Sequence, residues 1–107
     1  MALVPLTIRR PQHVQVMLPV GWIENVARLP GKALHVGMVL LYLATLRKSA
    51  QVRFSQATLR RFSTSRDAGY DALKRLAAAG LVQVAKSPGR SPLVTLLDGD
   101  GRAMVVL

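Results

Sequence analysis

Residues 55–80 read SQATLRRFSTSRDAGYDALKRLAAAG, and this stretch decides the fold. Ser55 is a good N-cap, because its hydroxyl accepts from an amide that the first helical turn leaves unpaired, and Leu59 and Phe62 then point one helical face toward a core. Only a few residues later Ser65 caps a second helix. Asp67 lies in its first turn, where an acid complements the helix dipole; Leu73, Leu76 and Ala77 form its apolar stripe, and Gly80 suits its end. The spacing predicts two helices joined by a tight turn.

Downstream, 81–86 and 93–97 are β-rich runs joined by Ser87, Pro88, Gly89, Arg90, Ser91 and Pro92. Pro88-Gly89 suits the centre of a type II turn, so the two runs predict a hairpin. Asp98-Gly99-Asp100-Gly101 supplies another turn before a strand-like 103–107. Upstream, 51–54 reads as a short strand. From Lys32 to Lys48 the chain is apolar nearly all round, with Arg47 and Lys48 at the end where cations oppose the macrodipole, which predicts a buried central helix. Gly37 inside it costs up to about 1 kcal/mol relative to Ala, so a close helix contact is expected there. Trp22, Val26 and Leu29 fall on one stripe of a short helix over 21–29, which Pro30-Gly31 interrupts. Residues 3–18 alternate in an extended pattern, and Pro5, Pro11 and Pro19 confine it to one or two short or edge β segments.

The chain has 107 residues, half of them apolar, enough for one core and too short for two. The fold class is therefore α+β, mainly α, in a single domain: 1–30 holds the N-terminal β segments and short helix, 31–97 the core, and 98–107 the C-terminal turn and strand. The absence of cysteine excludes a disulfide framework, a thiolate metal cluster and a Cys nucleophile. His13, His35, Glu24 and four aspartates make no recognisable catalytic set, so neither enzymatic activity nor a cofactor or metal is expected. His35 reads as a hydrogen-bonded imidazole buried on an apolar helix. The 98–101 run lacks the further oxygen ligands and closing Glu of a calcium loop. The longest apolar run, 33–46, is interrupted by His35 and falls short of the roughly 20 residues that a membrane span needs. Met1 to Arg10 carries its arginines after its apolar stretch, the reverse of a secretory leader, so the expected location is cytoplasmic.

Fifteen Lys and Arg stand against five Asp and Glu, a net charge of +10. Such an excess on a small body attracts phosphate-rich polymers. Its distribution is uneven: residues 47–90 carry ten basic and two acidic residues, a net +8.

The order helix, short strand, helix, tight turn, helix, hairpin over residues 31–97 resembles the winged helix-turn-helix family of DNA-binding proteins, of the bacterial transcriptional-regulator type. The residues that carry the resemblance are Ser55-x-x-x-Leu59, Ser65-Arg66, Leu73-x-x-Leu76 and Gly80-Leu81-Val82. Gly69 departs from it, since members usually carry a β-branched or other apolar residue there, which changes how closely the two helices pack. The resemblance implies sequence-specific binding of double-stranded DNA and transcriptional regulation by a homodimer, with helix 32–48 and the chain ends as material for the dimer seam. An α-helix fits the major groove, and a basic hairpin reaches the adjacent groove.

On the second helix Arg66, Tyr70 and Lys74 recur at i, i+4 and i+8, the stripe left polar once Leu73 and Leu76 face inward, and are expected to contact bases. Ser55, Arg60, Arg61, Thr64, Ser65 and Arg75 are expected at the DNA backbone, although Asp71 and Arg75 also have the spacing of an exposed helix pair. Lys86 and Arg90 bracket the hairpin tip and form a basic wing. No small-molecule effector site is evident. The rival readings are an accessory protein of plasmid or phage replication or partition, an RNA binder, and a protein–protein interaction module whose charge is incidental.

Overall fold

The computed structural model describes residues 15–106. Among them, four helices and three strands follow in the order α1 (Val20–Ala27), α2 (Ala33–Arg47), β1 (Gln51–Arg53), α3 (Gln56–Arg61), α4 (Arg66–Ala78), β2 (Val82–Ala85) and β3 (Leu93–Leu96). The class is α+β and mainly helical. The β segments expected near the N-terminus fall largely on 1–14, outside the described residues, and 15–19 form no regular element.

Helix α2 is the hub, packed against α1, α4 and β1. Its contact with α1 is close because Gly37 has no side chain: a Cβ there would stand 3.1 Å from Val26 Cγ1 and 3.4 Å from Trp22 Cζ3. Trp22 in turn donates its buried Nε1–H to Leu81 O at 3.1 Å, so α1 is tied to the entry of the hairpin, 59 residues away in sequence. Helix α2 is not buried all round, however. Val36, Val39, Leu40, Leu41 and Ala44 face the core, whereas Leu34, Met38 and Leu46 are exposed apolar residues. A helix apolar on every side can bury only the faces its neighbours cover.

The sheet is antiparallel in the order β1-β3-β2. Val94 of β3 stands between Val52 and Val84, and Val52, Val82, Val94 and Leu96 supply its buried side. The alternation along β3 is that of a sheet with one face on the core. Arg90 N–H donates to Ser87 O at 3.1 Å and Gly89 has φ +74°, the geometry of a type II turn. The strand expected over 103–107 is reduced to one bridge, Leu97 to Ala103, with Met104 N–H reaching Leu96 O. Both edges of β3 are already taken by β1 and β2, so no long ladder is open to it. Asp98 closes the intervening turn, its Oδ1 accepting from the amides of Asp100 and Arg102. Among the described residues no helix is long and apolar enough to cross a membrane.

Candidate nucleic-acid interface

Both caps read from the sequence are present. Ser55 Oγ accepts from Thr58 N–H and Ser65 Oγ from Ala68 N–H, each at 3.1 Å. Between the helices, Thr64 N–H returns to Leu59 O at 2.8 Å and Ser63 N–H to Arg60 O at 3.1 Å, while Ser63 takes φ +55°. This is a Schellman ending with serine in the left-handed position that glycine usually holds, and it turns the chain within three residues. Helix α4 ends the same way around Gly80, with Leu81 N–H on Leu76 O. Thr64 does not belong with the surface donors: it is 6% exposed and its hydroxyl donates to Phe62 O at 3.2 Å. The reversal that forms the turn draws it inward.

Gly69 is the point where α3 meets α4. A Cβ at this position would overlap Leu59 Cδ2, and Leu59 is buried. The glycine therefore permits a close approach: the leucine of α3 occupies the volume that a side chain on α4 would need. Along α4 the buried residues are Gly69, Ala72, Leu73 and Leu76. Ala77, expected on the apolar stripe, is exposed instead, because the buried face of α4 is centred on Gly69, Ala72, Leu73 and Leu76.

The edge of α4 next to this face is uncovered among the described residues. Arg66 and Lys74 are exposed and Tyr70 is half-buried between them. The Arg66 guanidinium lies 5.5 Å from the Tyr70 ring centroid, which holds the arginine against an aromatic face. Beside this edge stands the hairpin. Tyr70, Leu73, Lys74 and Ala77 of α4 and Val84, Lys86 and Pro92 of the hairpin line one small cleft of about 90 Å³ with an apolar floor. Lys74 and Lys86 thus flank a single feature formed by two elements. Arg90 is exposed at the tip of the turn.

The remaining basic residues divide. Arg60 is exposed on α3. Arg61, its neighbour, is turned toward α2: its Nη2 donates to the Tyr42 hydroxyl at 3.2 Å, and its guanidinium lies 5.5 Å from the Tyr42 and 5.1 Å from the Phe62 ring centroids. Arg75 forms the i, i+4 pair with Asp71 at 2.8 Å, beside Gly31 in the loop between α1 and α2. Arg75 is thus paired with an acid, whereas the Arg61 guanidinium is oriented by uncharged partners and stays exposed. Sequence reasoning gives Arg53 no role, yet its Nη1 donates to Ser91 O at 2.9 Å and braces the tip loop of the hairpin from β1. No local signal marks it, since the partner is 38 residues away.

His35 is hydrogen-bonded, as expected, but exposed: its Nε2 donates to Phe62 O at 2.7 Å. It lies on the part of α2 that no other element covers among the described residues. Among the described residues no cluster of three or more His, Cys, Asp or Glu could hold a metal ion. No protein-family model matches this chain, and comparison with curated proteins and with solved structures returned no match.

Proposed function

We propose that the chain is a winged helix-turn-helix module that binds double-stranded DNA, with α4 in the major groove and the β2–β3 hairpin as a wing against the adjacent backbone and groove. The observation that carries this reading is the shared cleft, in which Lys74 and Tyr70 of α4 and Lys86 of the hairpin border one surface. A helix with a cationic edge fits the major groove, and a protruding basic turn beside it reaches the flanking strand. The net +8 of residues 47–90 supplies attraction to phosphate.

The roles follow from position. Arg66, in the first turn and held against Tyr70, donates to guanine; Tyr70 reaches a phosphate or a thymine methyl; Lys74 faces a base edge, and Lys86 grips a phosphate across the cleft. Ser55, Ser65 and Arg60 position the backbone near the helix starts, and Arg90 probes the adjacent groove. Regulation of transcription follows from the family resemblance alone.

Titration of a duplex at several salt concentrations tests the reading. Contact with about five to eight phosphates gives a log–log slope near −5 to −7, whereas an interaction module with incidental charge gives weak, flat binding. Selection from a random duplex library then separates sequence-specific from uniform binding, and a palindromic winner marks a dimer. A slope near zero overturns the proposal, and binding without enrichment of any duplex overturns the base-contact roles while leaving uniform binding.

A further inference from the structure

Along the open edge of α2, Leu34, Met38 and Tyr42 recur at i, i+4 and i+8 and, with Val39, Phe62 and Val16, line a groove of about 560 Å³. Leu34 and Met38 are 41% and 39% exposed, large apolar side chains with no neighbouring element over them among the described residues. His35 fixes one wall by its bond to Phe62 O. At the rim the rings of Tyr42 and Phe62 meet edge to face, 5.8 Å apart, and Arg61 lies against both.

That arginine is oriented without being neutralised. Its partners are a hydroxyl and two ring faces, and it is exposed. The five acidic residues of the chain are Glu24, Asp67, Asp71, Asp98 and Asp100; none lines the groove or stands on α2 or α3. An apolar groove edged by an unneutralised, pre-positioned guanidinium complements a ligand that brings both an apolar anchor and a carboxylate.

We infer that this groove is a docking site for an acidic, apolar peptide segment of another protein. A Leu, Met or aromatic side chain enters between Leu34, Met38 and Phe62, and an Asp or Glu one helical turn away on the same segment meets Arg61 in the manner of a helix laid into a groove. A second copy of the chain is a poorer occupant. It brings the same arginine, the same lack of carboxylates on α2 and α3, and a net +10 of its own, so the contact sets like charges together. The dimer seam expected on this helix is disfavoured for that reason. The inference does not depend on DNA binding, because none of its residues lies in the cleft between α4 and the hairpin.

A phage-displayed library of random 12-residue peptides panned on the full chain tests it, with counter-selection on Met38→Glu and, should that variant not fold, on Leu34→Glu. Circular dichroism and thermal melting establish the folding of each variant first. The expected winners pair an aromatic residue or Leu with Asp or Glu three or four positions away. A synthetic winner should lose at least ten-fold in affinity on Met38→Glu and about three- to ten-fold on Arg61→Ala. Replacing its acid by Gln should cost the same on the wild type and nothing further on Arg61→Ala. Winners that are neutral or basic, winners indifferent to both substitutions, or a wild-type dimer in sedimentation velocity that Met38→Glu dissolves would overturn the inference.

Discussion

Gly69→Ala is expected to destabilise the protein, against the usual behaviour of glycine in a helix. Replacing glycine by alanine in an ordinary helix interior gains about 1 kcal/mol from backbone entropy. Here the new Cβ overlaps Leu59 Cδ2, and Leu59 is 2% exposed, so its terminal methyls cannot swing into solvent. Overpacking of this kind costs about 1–3 kcal/mol, which leaves a net loss near 1 kcal/mol and a melting temperature about 4–8 °C lower. Leu59→Ala alone opens a cavity and costs about 2–5 kcal/mol. In the double variant the methyl introduced at position 69 has the vacated volume to itself, so the overlap cost disappears and the helix-propensity gain returns. The double variant should therefore be more stable than the sum of the single losses by about 1 kcal/mol or more. Urea unfolding followed by far-ultraviolet circular dichroism reads all four proteins. A rise in stability for Gly69→Ala, or strict additivity in the cycle, would refute the argument that the leucine of α3 sets the spacing of the two helices.

Other substitutions probe the caps, the core tie and the proposed interface. Ser65→Ala removes the acceptor for Ala68 N–H and should cost about 1 kcal/mol, seen as a lower melting temperature. Trp22→Phe removes the Nε1–H that holds Leu81 O; Leu97 N–H still reaches that carbonyl at 3.0 Å, so a loss of about 1 kcal/mol is expected in urea unfolding rather than collapse of the fold. Arg66→Ala should lower affinity for the selected duplex by roughly 1–3 kcal/mol while leaving a scrambled duplex almost unchanged, as read by competition binding. Lys86→Ala should instead weaken all duplexes alike and reduce the salt slope by about one; a sequence-dependent loss would move that lysine from phosphate to base contact.

Much of the fold is legible in the sequence because its signals are local. Ser55 and Ser65 bond amides three residues on, Pro88-Gly89 forms the turn that its own φ preferences dictate, and the valines of 82–84 and 94 alternate with the pleat. The Gly37 contact is legible too, since a glycine on an otherwise apolar helix leaves a gap that a neighbour fills. The apolar run along α2 is plain in the sequence but its burial is not: periodicity reports which residues can be covered, and only the packing of α1, α4 and β1 decides which are. The C-terminal strand fails for a similar reason, because the pairing edges of β3 are already occupied.

By itself the sequence determined the order of the elements between residues 20 and 96, the caps and turns that delimit them, and the crowding of positive charge between residues 47 and 90. Those properties arise from interactions that span a few residues and are therefore written in spacing. Tertiary structure alone decided which cations share a surface. Arg61 turns to Tyr42, 19 residues away, and Arg53 to Ser91, 38 residues away, whereas Lys74 and Lys86 come together across the cleft. The physical reason is that a long side chain reaches whatever the packing of helices and sheet places beside it, and that packing joins residues far apart in the chain.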